Sequence, residues 1–132
     1  VEAFRRGGGE GKPMFLQAQT SYAPTADAAR RAAFDQWRQC GLDSAVLPEL
    51  ATPADFDRAT RHLTPADLDT KVRISADLGQ HAAWIAEDFA LGFDAVYVHQ
   101  VGRDQERFLD AFGGRVLPAL TSAGPGPHGP GR

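Results

Sequence analysis

A chain of 132 residues is one domain's worth at most, and it can bury roughly 70% of the surface its unfolded form exposes, enough for one modest core. Its 42% hydrophobic and 23% charged residues are ordinary soluble values, and a net charge of -3 gives no reason to expect nucleic acid or an anionic membrane as partner. No apolar run approaches the roughly 20 residues that span a bilayer, and nothing at the start resembles a signal peptide. The single cysteine, Cys40, excludes an internal disulfide framework and suits a reducing cytoplasm.

The chain opens at Val1, without an initiator Met, on the arginine- and glycine-rich run "VEAFRRGGGEGKP". Residues 1–12 are expected to be a flexible connector to a missing N-terminal part of a longer protein. The run is not a phosphate loop: Arg6 stands where the first Gly is required, and Pro13 where a Ser or Thr should follow Lys12. Residues 13–120 form the expected folded part. Residues 121–132 are a Gly/Pro-rich tail with nothing to pack, expected to be disordered.

Within the folded part, Met14, Leu16 and Ala18 alternate with Phe15, Gln17 and Gln19, which predicts a strand over Met14 to Gln19. Thr25 can cap the following helix, with Asp27 in its first turn. Ala29, Ala33, Trp37 and Cys40 fall on one face of it, and Gly41 ends it. Thr52-Pro53-Ala54-Asp55 and Thr64-Pro65-Ala66-Asp67 are near-copies of one helix start, and the first helix should bury Phe56, Ala59 and Leu63. Lys71 to Ser75 is a short second strand. Asp77 then caps a helix with the stripe Leu78, Ala82, Ile85 and Phe89, closed by Gly92. Ala95 to His99 is the third strand, and "DQERFLDAF" a last helix on Phe108, Leu109 and Phe112, interrupted at Gly113 and Gly114.

Strands separated by amphipathic helices imply right-handed crossovers and a parallel sheet, the α/β class. In such sheets, ligand-facing residues cluster at the carboxyl ends of the strands. Gln17 and Gln19 of the first strand, Ser75 and Asp77 after the second and His99 at the end of the third are the expected rim. His99 there can contact a ligand, donate a proton or only bond a neighbouring loop, while Gln100 should turn outward. Asp77 reads first as a helix cap, with N–H groups behind it open to an anion. His81 and Trp84 read as surface and packing residues, and Glu87-Asp88 as a solvated face. The four His and one Cys show no metal-ligand spacing, and Cys40 reads as core.

"KPMFLQAQTSYAPTADAA", the strand "GFDAVYVH", the helix start "GRDQERFLDAFG" and the ending "VLPAL" resemble the carboxyl-terminal portion of the luciferase-like flavin-dependent oxidoreductases. Within them the chain is most similar to the branch of deazaflavin-dependent glucose-6-phosphate dehydrogenases. The resemblance covers about Gly11 to Leu120, and only the last third or so of a typical member. It implies part of a (β/α)8 barrel, with the three strands as the sixth, seventh and eighth and a helical insertion before the seventh. It also implies FMN or coenzyme F-420 as cofactor, a small organic substrate, hydride transfer or monooxygenation, and a cytoplasmic homodimer when full length. The family's principal catalytic segments precede this stretch, so no catalytic residue is carried over. A fragment inactive alone is expected; the alternative is a standalone α/β binding or interaction module derived from such a barrel.

Overall fold

Phe15–Tyr22 runs extended for eight residues as β1 in the computed structural model, which describes residues 1–122. The expected Gly/Pro tail lies, beyond Ser122, outside the described residues. Before β1, Glu2–Phe4 (α1) and Arg5–Gly9 form short helical turns, with Gly8 at φ 97°. Gly9 packs under the Phe4 ring, where a Cβ would come within 2.4 Å of it.

The other strands are β2, Arg73–Ser75, and β3, Ala95–Gln100, and every pairing is parallel, as the intervening helices imply. β1 continues three residues past Gln19 because Thr20 to Tyr22 pair with β2. β2 starts two residues later than its hydrophobic pattern suggests. Lys71 and Val72 instead close a turn, both N–H groups donating to the Leu68 carbonyl at 2.9 Å.

The strand order is β2-β1-β3. Three consecutive barrel strands would stand in chain order with the second in the middle, so the sixth-seventh-eighth arrangement is not the one observed. A three-residue strand makes a poor centre. The eight-residue β1, with Ala18 and Ser21 buried, takes that place.

The two crossovers therefore run in opposite directions, and right-handedness puts their helices on opposite faces. On one face, α2 (Ala26–Trp37) sets Ala33 against Leu68, Val72 and Val101. On the other, α4 (Leu78–Ala90) and α5 (Gln105–Ala111) gather Ile85, Phe108, Phe112 and Val116 under Val96 and Val98. Each face of the sheet thus carries a core, while Phe15 and Gln17 at the start of β1 stay exposed on the α2 side.

The helix starts follow the local signals. Thr25 accepts from Ala28 N–H at 3.2 Å, and Asp77 from Gly79 N–H at 2.7 Å. Both Thr-Pro-Ala-Asp copies are capping boxes, at α3 (Pro53–Ala59) and at the 3₁₀ turn Pro65–Leu68. Phe56, Ala59 and Leu63 are only half-buried; Leu68, after the second box, is the fully buried side chain. Gly113 and Gly114 do not break the last helix. A π turn over Phe112–Val116 carries it into α6 (Leu117–Ser122), because Phe112 and Val116 are both buried one turn apart. Leu109 and Phe89 point outward, at 65% and 39% exposure, against the expectation for both. Among the described residues no helix is long and apolar enough to cross a membrane.

Candidate functional site

Register decides which polar residues meet. Gln17 pairs with Tyr97 and Gln19 with His99, and partners in a parallel ladder share a face, so these four side chains lie on the α2 side of the sheet. α2 brings Trp37 edge-on to the His99 ring, at 4.9 Å between centroids and 84° between planes. His99 Nδ1 is buried and has no hydrogen-bond partner among the described residues. An unpaired buried polar atom costs roughly 1–3 kcal/mol, so this nitrogen is the group on this face best placed to gain from a ligand. Gln19 beside it is half-buried, and Gln17 is exposed nearer the start of the strand.

Ser75 and Asp77 form a separate group. β1 stands between their strand and β3, so they do not converge with His99. Their hydrogen bonds are largely internal: Asp77 N–H donates to Ser75 Oγ (2.9 Å), and Gly79 N–H to Asp77 Oδ1 (2.7 Å). The Ser75 carbonyl lies 3.0 Å from His81 Nε2. Of the five expected rim residues, the structure brings Gln19 and His99 together, with Gln17 one step below; it leaves Ser75 and Asp77 at the far strand.

Gln100 does not turn outward. It is 4% exposed, and its side-chain amide reads the backbone of Tyr22 across the sheet. Tyr22 N–H donates to Gln100 Oε1, and Gln100 Nε2 donates to the Tyr22 carbonyl, both at 3.0 Å. Gln105 Nε2 in turn donates to the Gln100 and Gly102 carbonyls at 3.1 and 2.5 Å. Open α/β sheets bind ligands at the crevice where strand order reverses, which here lies between β1 and β3. Gln100 closes that crevice from within.

Two further expectations are corrected. His81 is buried at 2% exposure, packed on Phe112, Trp84 and Tyr22, with ring centroids 5.2 to 6.1 Å away. Burial pushes its pKa below the ordinary 6.5, and the bond to Ser75 and the nearby Asp77 offset this only in part. His81 is accordingly neutral, with Nε2–H donating to Ser75. Asp88 is not on a solvated face: it is 3% exposed and receives both Arg73 guanidinium nitrogens, at 2.6 and 2.7 Å. That pairing holds the Arg73 guanidinium charged, its pKa raised further above its already high value. Cys40 is half-buried against the α2 core, and burial pushes its thiol pKa up, away from nucleophile chemistry.

No family model matches the chain. It is similar to a protein of Microbacterium testaceum named "F420-dependent glucose-6-phosphate dehydrogenase", with 28% identity over 106 residues, 80% of this chain and 31% of that protein. A protein of the same name from Intrasporangium calvum is 30% identical over 84 residues, covering 64% of this chain and 25% of its own length. The chain thus spans about a quarter to a third of the length of the curated relatives it matches.

Proposed function

We propose that the chain is part of a deazaflavin-dependent oxidoreductase acting on a small organic substrate, with coenzyme F-420 rather than FMN as the carrier. The observation that carries this reading is the similarity to two proteins that both bear an F420-dependent dehydrogenase name. The orphaned His99 Nδ1, beside Trp37 and Gln19, suits one polar edge of a ring or a substrate hydroxyl; it is part of a cradle and not a whole one. When bound, the deazaflavin supplies a two-electron hydride carrier. The chain's own contribution is to hold that polar edge through His99 and Gln19 and to keep water from it with the Trp37 ring. Turnover then requires the segments that the longer relatives carry, and the full protein works as a cytoplasmic homodimer.

The test is titration of coenzyme F-420 and of FMN, each followed by fluorescence, into the translation product of the complete reading frame that holds this chain. Tighter binding of F-420, weakened roughly five- to thirtyfold by His99→Ala with an unchanged melting temperature, is the expected result; it corresponds to about 1–2 kcal/mol for one hydrogen bond. Binding of FMN alone, or of neither, contradicts the reading. Unchanged affinity with a lowered melting temperature makes His99 a structural residue.

One observation favours a second reading, a standalone α/β binding module. The β2-β1-β3 order, with helices on both sides of the sheet, is like the start of a doubly wound sheet, which supports that reading. A monodisperse monomer with one sharp cooperative melt supports the module; self-association or loose packing supports the barrel part.

A further inference from the structure

β3 ends at Gln100, one residue after His99, while β1 runs on to Tyr22. The ladder between them pairs Gln19 with His99 and Thr20 with Gln100, and Val101 N–H donates to the Thr20 carbonyl at 2.8 Å just past its end. Main-chain groups alternate sides along a strand, so Tyr22 is the next residue of β1 to face that seam, where β3 has already ended. The Gln100 side chain takes that rung, with both amide atoms on the Tyr22 main chain.

The clamp is itself held. Gln105, at the start of α5, donates through Nε2 to the Gln100 and Gly102 carbonyls. Gly102 leaves room for the amide: a Cβ there would come within 3.0 Å of Gln100 Nε2 and 3.5 Å of the Ala32 Cβ on α2, the helix that also carries Trp37. Gln100 lies on the sheet face opposite His99, is 4% exposed and has its amide taken up by Tyr22, so it does not act on a ligand directly.

We infer that Gln100 is the positioning residue for His99: its amide holds the end of β3 in the sheet, and this keeps the His99 ring beside Gln19 and edge-on to Trp37. Strand ends open first, and His99 is the last residue but one of β3. Hydrogen bonds weaken steeply as donor and acceptor leave line, so a ring that moves with a loose strand end loses its ligand bond. The inference rests on the reading of His99 as a coenzyme or substrate contact.

The test is a double-mutant cycle on F-420 binding in the product of the complete reading frame, titrated well below the melting temperature. Gln100→Met keeps the length of the side chain and removes both hydrogen bonds; it should weaken F-420 about three- to tenfold, within the coupling expected of residues in one contact network. In the His99→Ala background the same change should weaken it less than about twofold, because no ring is left to misplace. Gly102→Ala displaces the amide without removing it; it should act the same way with a smaller effect, and it carries the test if Gln100→Met does not fold. Equal weakening with and without His99, or no weakening at all, overturns the inference. The His99 ring protons, read by NMR with labelled histidine and shifted by the Trp37 ring current, should move in both variants. If the unaltered protein binds neither F-420 nor FMN, the coenzyme reading fails and the ring protons decide alone. Moved, they leave Gln100 as the residue that positions His99; unmoved, they overturn it.

Discussion

The two halves of the sheet are built on different terms. On the β3 side, β1 is matched residue for residue from Phe15 to Thr20. Both ends of that seam are locked by side chains: Asp94 Oδ2 accepts from Met14 N–H at 2.7 Å at the start, and Gln100 bridges to Tyr22 at the finish. On the β2 side only three residues pair, and the short strand is held to its helix by the Arg73–Asp88 pair and the His81–Ser75 bond. One seam closes through backbone. The other relies on side chains and leaves β1 unpaired on that edge before Thr20. A complete ladder leaves no main-chain donor or acceptor free on its side of the strand; one that is cut short leaves some unpaired within this chain.

The heaviest blow should fall on the β2 side. Asp88→Ala strands the Arg73 guanidinium in a largely buried position and should cost about 3 kcal/mol, at the low end for a broken buried pair because Arg73 keeps 30% of its side chain exposed. Chemical denaturation measures this, and the double variant Arg73→Met with Asp88→Leu should recover most of the loss. No recovery would mean that the pair does more than neutralise itself. On the β3 side, Gln100→Ala removes two hydrogen bonds and should cost about 2 kcal/mol. Gln100→Glu should be worse than Ala, since a carboxylate oxygen then faces the Tyr22 carbonyl where Nε2 donated. If Glu is tolerated as well as Gln, the crevice is not closed in the way described.

The smallest effect is the pH dependence of His81. Its folded pKa lies below the ordinary value of about 6.5, so the unfolded chain takes up a proton first as pH falls. Above that value both states are neutral and the contribution is flat. From about 6.5 downward toward the folded pKa the unfolded state binds more protons, and stability drops by at most about 1.4 kcal/mol per pH unit. Melting curves of the protein and of His81→Phe between pH 7.5 and 5 read this out as about a one-group difference in slope. An identical pH dependence in the two would mean that His81 is not held neutral.

What the sequence revealed follows the range of the interactions. Caps at Thr25, Thr52, Thr64 and Asp77 are set within four residues, and all four were legible. Parallel pairing followed from helices lying between strands. Strand order was not legible, because it depends on which strand is long enough to be covered on both faces. Gln100 and Tyr22 meet across 78 residues and Arg73 and Asp88 across 15, which no local pattern announces. A signal did exist for the buried face of α4. His81, Ile85 and Asp88 are spaced four and three apart, so an apolar stripe through Ile85 carries the histidine and the aspartate inward with it. In the candidate site, the placing of His99 beside Gln19 was readable only as a common strand end; its pairing with Trp37 and its unpartnered Nδ1 required the packing of α2.

The most direct test of the closed and open seams is native-state hydrogen exchange along β1 in the chain alone. Leu16 and Ala18, whose N–H groups face β3, should be protected close to the global stability, while Phe15, Gln17 and Gln19, whose N–H groups face the edge that β2 leaves unpaired, should exchange far faster, a two-residue alternation along one strand. Equal protection of odd and even residues from Phe15 to Gln19 would mean that a strand runs along the whole of that edge, and it would contradict the β2-β1-β3 sheet with its open half.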